Sequence, residues 1–223
     1  SPDEKPLCTI ETPFVIISGS ITSSTDLDVS KNTKLEVGQD TSGLVDAVKK
    51  FVEVTHEKYK DKVGDEFDKT IPAIFTDEPQ FTGKAVLNNS FDKMNITMPW
   101  TDNVPELYKE MYGEDIFDTL PEIFWDKPDS APSLHRYRYH DFIAELFATS
   151  FADTVGGWCK ENGIALTGHM MEEPTLNSQT AALGEAMRSY RSFKLPGIDM
   201  LCNRHEFPTA KQAQSAVHQF GYE

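Results

Sequence analysis

The most informative segment of the chain is Ile71-Pro72-Ala73-Ile74-Phe75-Thr76-Asp77-Glu78-Pro79. Its first five residues are apolar, and two carboxylates follow almost at once. A short apolar run of this kind predicts a strand that is buried on both faces, as strands of parallel sheets are. In parallel α/β proteins the carboxyl ends of the strands face the active site. The segment therefore predicts a parallel sheet with acidic side chains at its functional edge.

Two further segments follow the same plan. Residues 164–169 predict a strand, and Met170-Met171-Glu172-Glu173-Pro174 comes directly after it. Residues 198–202 predict another strand, which is followed by Asn203-Arg204-His205-Glu206. We expect both strands to lie parallel to the run at 71–75 in one sheet.

Helical patterns separate these strands. An apolar stripe at steps of three and four residues predicts a helix over residues 43–61; it consists of Val45, Val48, Val52, Thr55 and Tyr59. The sequence predicts further helices at 104–112, 139–162, 179–193 and 210–220. Residues 116–125 contain Pro121 and predict only short helical pieces.

Glycines and capping residues predict where these helices begin and end. Gly64 and Gly113 follow helical patterns, where glycine readily adopts the left-handed cap conformation. Gly163 stands in the same position after the predicted helix 139–162. Asn103 and Thr209 precede helical patterns and are expected as N-caps.

The alternation of strands and helices predicts the α/β class and a (β/α)8 TIM barrel. Only about four strands are convincing, including one near residues 14–17, whereas a closed barrel needs eight. We therefore expect the barrel to be incomplete in this chain. Residues 1–42 form a poorly readable N-terminal segment with one strand, and residues 43–223 form the partial barrel.

Composition narrows the range of partners. The 223 residues carry a formal net charge of −15, which disfavours nucleic acid and anionic membrane surfaces and does not disfavour neutral sugars. No apolar run approaches the ~20 residues of a membrane helix. The first residues contain no hydrophobic signal core, as in a mature or excised exported chain. The three cysteines form no C-x-x-C pair, so they do not predict a zinc ribbon.

The acids at the strand ends are the candidate catalytic residues. Glycosidic cleavage needs one acid to protonate the leaving oxygen and one carboxylate that acts as nucleophile or activates water. Glu78 is the first candidate for such a pair, and Glu172 and Glu173 are the others. The alternative is that all three are solvent-exposed loop acids. The separation of the pair, which decides the stereochemical outcome, is not encoded in the sequence.

Other polar and aromatic residues are candidates for binding a substrate. They are His169, Asp77, Asn203, Glu206 and Trp100. His169 and Asn203 suit hydrogen bonds to sugar hydroxyls, Asp77 suits a supporting role, and aromatic faces stack on sugar rings. Each has a structural alternative, such as a hydrogen-bonded strand end or a packed loop aromatic.

Several other chemistries lack their motifs. The sequence contains no phosphate-binding glycine loop and no G-x-S-x-G nucleophile elbow. His169 and Glu172 give only a fragment of the zinc-protease pattern H-x-x-E-H, because position 173 is glutamate. We therefore expect no cofactor and no catalytic metal.

From about residue 45 to residue 220 the sequence resembles α-L-rhamnosidase-like glycoside hydrolases of bacteria. The resemblance rests on residues 51–59, on residues 71–79, on Tyr112-Gly113-Glu114-Asp115-Ile116, on Leu120-Pro121 and on Leu195-Pro196-Gly197-Ile198-Asp199. It implies a TIM-barrel catalytic domain with β-sandwich domains attached, exported to the periplasm or secreted. It also implies activity on plant or bacterial glycans.

The resemblance places a catalytic glutamate at Glu78. It implies that a second catalytic acid lies on a strand after the helix that ends near Phe220, where this chain stops. The expected partners are an oligosaccharide or glycoside and the other domains of the same full-length protein. The rival interpretation is a non-catalytic carbohydrate-binding or inert fragment of a larger barrel protein. A second carboxylate facing Glu78 across a cleft distinguishes the two.

Overall fold

The computed structural model describes residues 8–11, 15–19, 34–37, 44–81, 96–200 and 205–222. The strands in chain order are β1 Cys8–Glu11, β2 Val15–Gly19, β3 Lys34–Val37, β4 Ala73–Asp77, β5 Ile96–Thr97, β6 Ala165–His169 and β7 Leu195–Pro196. The α-helices are α1 Leu44–Val54, α2 His56–Val63, α3 Val104–Tyr112, α4 Ile116–Phe124, α5 Leu134–Phe147, α6 Thr154–Glu161, α7 Leu176–Ala182, α8 Ala186–Tyr190 and α9 Phe207–Phe220. A 3-10 helix at Gly64–Glu66 follows α2, and a π-helix at Ala148–Asp153 joins α5 to α6.

The chain divides into two compact units that are each built from two stretches of sequence. The first unit comprises Ser1–Gly43 and Thr82–Ile143. The second unit comprises Leu44–Phe81 and Ala144–Glu223. The proposed domain division between residues 42 and 43 stays a prediction.

The first unit contains a four-stranded sheet in the order β3-β2-β1-β5. The pairs β1–β2 and β2–β3 are antiparallel, and β1–β5 is parallel. Helices α3 and α4 belong to this unit, and their buried residues include Tyr108 and Leu120. Tyr139 is fully buried, and its hydroxyl donates to the Pro99 carbonyl over 2.7 Å. Three strands thus lie within residues 1–42, where the sequence predicted one.

The second unit contains a parallel three-stranded sheet in the order β4-β6-β7. The predictions of parallel strands near 71–75 and 164–168 are confirmed, with each strand beginning one or two residues later. Because Ala73 pairs with Ala165 and Asp77 pairs with His169, the two strands end at the same level. The acidic segment after β4 therefore emerges beside the end of β6.

The third strand of this sheet differs from the prediction. It is Leu195–Pro196, and residues 198–200 have no regular secondary structure. Proline lacks the N–H that a central strand needs, so Pro196 is tolerated because β7 lies at the edge of the sheet. The Gly197 amide then donates to the Gly168 carbonyl over 2.7 Å, and the chain leaves the sheet. The expected strand at 198–202 is wrong over its described residues, and positions 201–202 lie outside them.

Helices α1, α6 and α8 pack their apolar faces in the core of the second unit. Val48 and Val52 from the predicted stripe are buried, whereas Tyr59 is exposed. The buried core includes Trp158, Leu166, Met170, Tyr190, Phe193 and Ala216. The stripe was therefore correct for one helix and did not extend into the next.

Two helices at the start of the second unit replace the predicted helix 43–61. Thr55 separates α1 from α2, and its hydroxyl bonds to the Phe51 carbonyl over 2.5 Å. Such back-bonding competes with the helical hydrogen bonds. The left-handed cap expected at Gly64 is wrong, because Gly64 has φ −57° and continues into the 3-10 helix. The cap expected at Gly113 is confirmed, with φ 73°.

The structure differs from four other helix predictions. Residues 116–124 form one helix of 9 residues with Pro121 inside it, rather than short pieces. The predicted helix 139–162 is interrupted by the π-helix, and the predicted helix 179–193 is divided into α7 and α8. Helix α9 begins at Phe207 with Pro208 in its first turn, so Thr209 is not its N-cap.

The architecture is mixed α/β, with one small parallel sheet and mostly helices. The parallel sheet agrees with the predicted class. A partial barrel is not confirmed, because the described residues contain only three strands of parallel sheet in the second unit.

Candidate functional site

The carboxyl ends of β4 and β6 bring Asp77 and His169 into contact. Their side chains project from paired positions, and His169 Nε2 lies 3.2 Å from Asp77 Oδ1. The His169 side chain is only 12% exposed, whereas the Asp77 side chain is 75% exposed. An exposed carboxylate thus orients a largely buried imidazole, and the supporting role of Asp77 at a substrate stays a prediction.

Glu78 and Asp199 join His169 at this edge. Glu78 is the first residue after β4, and Asp199 comes three residues after β7. One ligand atom from each of Glu78, His169 and Asp199 lies within 4.8 Å of the others. Three successive strands of the sheet therefore each contribute one polar side chain to a single cluster.

The two nitrogens of the His169 ring have different surroundings. Nε2 faces Asp77, and Nδ1 is buried with no hydrogen-bond partner among the described residues. If Nε2 donates to Asp77, Nδ1 keeps a lone pair that no described group uses. A histidine nitrogen and two carboxylate oxygens, from His169, Glu78 and Asp199, could also coordinate a divalent cation. Asp77 would then hold the histidine ring in place by a hydrogen bond.

Phe75 provides an exposed aromatic surface beside the cluster. It lies on β4 two positions before Asp77, and 60% of its surface is exposed. Its ring centroid is 5.6 Å from the centroid of the His169 ring. An exposed ring next to hydrogen-bonding groups is the arrangement that stacks on one face of a sugar.

The other two predicted acids do not belong to this cluster. Glu172 is exposed with φ 58°, and its carbonyl accepts a hydrogen bond from Ser178. Glu173 is only 4% exposed, and its carboxylate accepts from the Met170 amide over 3.0 Å and from the Tyr190 hydroxyl over 3.2 Å. The pKa of the Glu173 carboxyl is raised above its usual value, because burial outweighs the lowering by His169 and by these hydrogen bonds.

Hydrogen bonds of Glu173 connect the turn after His169 to the surrounding helices. Its carbonyl accepts from Gln179 Nε2 and Gln212 Nε2, each over 2.8 Å. The hydroxyl of Tyr190 also lies 3.2 Å from the Gly197 carbonyl, close to Asp199 in the chain. In this geometry Glu173 fixes the turn after His169, and the catalytic roles predicted for Glu172 and Glu173 stay predictions.

The remaining predicted binding residues lie elsewhere. Asn203 falls outside the described residues. Glu206 is half-buried immediately before α9 and makes no capping hydrogen bond with its side chain. Trp100 belongs to the first unit, where its ring lies 5.9 Å from that of Phe117. Their substrate-binding roles stay predictions.

Sequence reasoning missed Asp199 and Phe75. It treated Asp199 as the middle of a strand, because the third strand was placed three residues too late. The pair Pro196-Gly197 was the available signal, since it terminates a strand and makes Asp199 a strand-end acid. Phe75 was treated as a core residue, although alternation with Ile74 already offered two opposite faces.

The fold is similar to that of a solved rhamnosidase. The similar structure is described as that of a rhamnosidase from Novosphingobium sp. PP1Y, with a TM-score of 0.57 and 20% sequence identity. The match covers 86% of this chain and 17% of the rhamnosidase chain. No protein-family model and no curated protein matches the sequence.

At 20% sequence identity, this similarity shows a shared fold over most of the chain. The chain spans less than a fifth of the length of the solved rhamnosidase, so it corresponds to a part of that protein. Among the described residues, no helix is long and apolar enough to cross a membrane.

Proposed function

We propose that this chain carries part of the active site of a glycoside hydrolase, with Glu78 as the general acid. The proposal rests on one observation: Glu78, His169 and Asp199 converge within 4.8 Å at the carboxyl edge of a parallel sheet. A glycosidase needs a carboxylic acid at such an edge, beside groups that hold the sugar. The similarity of the fold to a rhamnosidase supports the same reaction class.

The neighbours of Glu78 have separate roles in this proposal. His169 accepts a hydrogen bond from a sugar hydroxyl through Nδ1, and Asp77 holds its ring in place. Asp199 binds a second hydroxyl, and Phe75 stacks on the apolar face of the sugar. These contacts position the glycosidic oxygen near Glu78, and such positioning contributes to the rate by removing orientational freedom before the reaction.

Asp199 is too close to Glu78 to serve as the base of an inverting pair. Inverting glycosidases separate their carboxyl groups by ~6.5–9.5 Å, which leaves room for the attacking water. The Glu78 and Asp199 oxygens of the cluster are within 4.8 Å. That distance lies near the ~5–5.5 Å of a retaining pair, but we place the second catalytic carboxylate in the longer protein because the resemblance of the sequence implies it there.

The substrate class follows from the same resemblance. We propose a glycoside or oligosaccharide of plant or bacterial origin, with a rhamnosidase-like or galactosidase-like specificity. We further propose that the full-length protein is periplasmic or secreted and that its other domains complete the site. Fractionation of cells that express the complete gene tests the location.

The decisive experiment changes Glu78 to Gln in the full-length protein. The change keeps the volume and removes the ionisable proton, and general acid catalysis is typically worth ~10²–10⁴-fold. We expect at least that loss of kcat/KM on a glycoside with a poor leaving group, and a much smaller loss on an activated aryl glycoside. The matched control is Glu161→Gln, an exposed acid at the end of α6, which should leave both rates unchanged.

Two outcomes would contradict the acid role. Equal losses of kcat/KM on both substrates would indicate that Glu78 acts as a nucleophile or binds the sugar. Unchanged activity on both would remove it from the site altogether.

A non-catalytic sugar-binding module is the second candidate, favoured by the 60% exposure of Phe75 beside His169. It predicts that the full-length protein binds oligosaccharide without turnover, that Phe75→Ala weakens this binding, and that Glu78→Gln does not. Measuring binding and hydrolysis on the same panel of glycosides separates the two candidates.

A further inference from the structure

A cavity lies in the second unit, at the opposite end of the sheet from Glu78. Its volume is about 550 Å³, within the range of small-molecule sites. Its lining includes Ile164, which precedes β6, Leu166 of β6, and Gly156, Gly157 and Lys160 of α6. His169 stands at the other end of β6, three residues beyond Leu166 and roughly 10 Å away at the rise of a strand. The cavity is therefore separate from the candidate catalytic cluster.

A glycine in α6 keeps this cavity open. A Cβ at Gly156 would lie 2.5 Å from the Ser192 carbonyl oxygen, so packing requires glycine there. A Cβ at Gly157 would meet nothing within 4 Å. Glycine inside a helix is destabilising relative to alanine. Packing does not require glycine at Gly157, and a larger side chain there would extend into the cavity.

Positively charged side chains line the cavity, although the chain as a whole is acidic. Lys160 and Lys194 line it, both are exposed, and their amines make no ion pair or hydrogen bond with any residue that the structure describes. Arg191 also lines it, but its guanidinium is bound by Asp153 over 2.7 Å and by Glu145 over 2.9 Å. The cavity also has one unpaired carboxylate, Asp68, so its unpaired charges sum to +1 and favour an anionic group bound at the two lysines.

Other polar groups of the cavity suit hydroxyls. The carboxylate of Asp68 makes no hydrogen bond or ion pair with the described residues, so it can accept from a ligand. Ser192 and Tyr222 already donate their hydroxyl hydrogens, to Asp153 and to the Arg191 carbonyl. Their oxygens keep lone pairs as acceptors. A ligand with both an anionic group and hydroxyls uses all of these features.

We propose that this cavity binds a small hydroxylated anion, namely a sugar that carries a carboxylate or a phosphate. Lys160 and Lys194 bind the anionic group, Asp68 accepts from the hydroxyls, and Gly157 provides the space. The site does not depend on glycoside hydrolysis at Glu78, and its test below does not measure that reaction.

Isothermal titration calorimetry of the purified chain tests the proposal with three probes. D-glucuronate and D-glucose 6-phosphate carry the two anionic groups on one sugar frame, and D-glucose is their neutral counterpart. We expect at least one anion to bind, with an affinity that falls as salt is added, and D-glucose not to bind. Comparing the two anions identifies whether the carboxylate or the phosphate is preferred.

Variants then place the binding in this cavity. Because both lysines bind the anionic group, Lys160→Gln with Lys194→Gln should weaken binding at least about tenfold. Gly157→Leu should abolish binding by filling the space. Lys58→Gln, an exposed lysine on α2, is the matched control and should bind as the unchanged chain does. Circular dichroism of each variant confirms that it is folded.

Three results would overturn the proposal. The first is the absence of binding by either anion, and the second is equal binding of D-glucose. The third is undiminished binding by the folded double lysine variant. Because catalysis is not measured, loss of activity in Glu78→Gln and loss of binding in the lysine variant are independent results.

Discussion

Glu78 holds a backbone conformation that its residue type disfavours. Its φ is 44°, in the left-handed region that side chains with a Cβ adopt at a cost of roughly 1–2 kcal/mol. It lies at the first position after β4, where the chain turns toward the cluster with His169. Strain of this kind persists where surrounding structure enforces it, and it concentrates at functional sites.

Glu78→Asn should therefore raise stability while removing function. Asparagine tolerates the left-handed region better than glutamate, so we expect a gain of about 0.5–1 kcal/mol. For a chain of this size that corresponds to a rise in Tm of roughly 1–4 °C. Thermal unfolding followed by circular dichroism measures it, with Glu161→Asn in α6 as the control, which should lower Tm slightly. A lower Tm for Glu78→Asn would show that its contacts outweigh the backbone strain.

His56 is a buried histidine with an unsatisfied nitrogen. Its Nδ1 bonds to the Thr55 hydroxyl over 2.8 Å, and its Nε2 is buried without a partner among the described residues. The rings of Phe51 and Trp158 pack edge-on against it. Burial lowers the pKa of His56 below 6.5, and the nearby Glu57 carboxylate only partly opposes this.

The lowered pKa of His56 makes stability depend on pH. Below about pH 6.5 the unfolded chain binds a proton at His56 before the folded chain does, so stability falls as pH falls through the folded pKa. His56→Leu removes this dependence at similar volume. Urea unfolding from pH 4.5 to pH 7.5 should show a shallower loss for His56→Leu than for the unchanged chain. Thr55→Ala keeps the ring and should keep the steeper loss, and parallel curves for all three would refute the assignment.

At the scale of elements, two glycines let the strand ends converge. A Cβ at Gly168 would lie 1.9 Å from the Thr76 carbonyl oxygen, and the φ of Gly168 is 136°. A Cβ at Gly197 would lie 2.7 Å from the Gly168 carbonyl oxygen. At the edge that carries His169, the backbones of the three strands are thus in direct contact, with no side chain between them. This contact brings Asp77 and Asp199 within reach of the same histidine.

Gly168→Ala should separate β6 from β4 at this edge. The clash with Thr76 and the unfavourable φ together should cost about 3 kcal/mol or more. Gly157→Ala is the matched control, because a Cβ there meets nothing within 4 Å. It should stabilise α6 by up to about 1 kcal/mol. Chemical unfolding should therefore shift in opposite directions for the two variants, and a similar shift for both would contradict the close contact at Gly168.

Local patterns predicted the central elements and missed where several of them end. The apolar runs near residues 73 and 165 predicted two parallel strands, and the polar residues after each run predicted that Glu78 lies beside His169. Both predictions were possible because the burial and the end of a strand are visible in its local composition. The third strand was misplaced because Leu195-Pro196 is only two residues long and depends on its pairing with β6. Asp199 was missed for the same reason.

Tertiary packing decided the remaining differences. Glu173 follows a strand in the same way as Glu78, yet the Tyr190 hydroxyl and the Met170 amide draw its carboxylate into the core. Neither bond has a sequence signature. The π-helix at Ala148–Asp153 likewise breaks a continuous helical pattern, and its last residue, Asp153, binds Arg191.

At the scale of the whole molecule, the charge of −15 acts against folding. Like charges spread over a compact chain repel one another, and unfolding separates them. Local ion pairs oppose this repulsion, and the pairs of Arg191 with Asp153 and Glu145 are examples. Both effects are screened by salt, with a Debye length of about 10 Å at 0.1 M. The sign of the salt response therefore reports which of them is larger.

We expect the repulsion to dominate, because a net charge of −15 leaves many acids without a cation to pair with. Raising NaCl from about 10 mM to about 150 mM should then increase Tm, by roughly 2 °C for half a kcal/mol in a chain of this size. Asp61, Glu110 and Glu161 are exposed acids that make no ion pair with any described residue. Changing these three to lysine makes the net charge less negative and should raise Tm at low salt and reduce the response to NaCl. A Tm that falls with NaCl in the unchanged chain would show instead that ion pairs such as those of Arg191 outweigh the general repulsion. The triple variant separates these cases, because it changes the overall charge and leaves the Arg191 pairs intact.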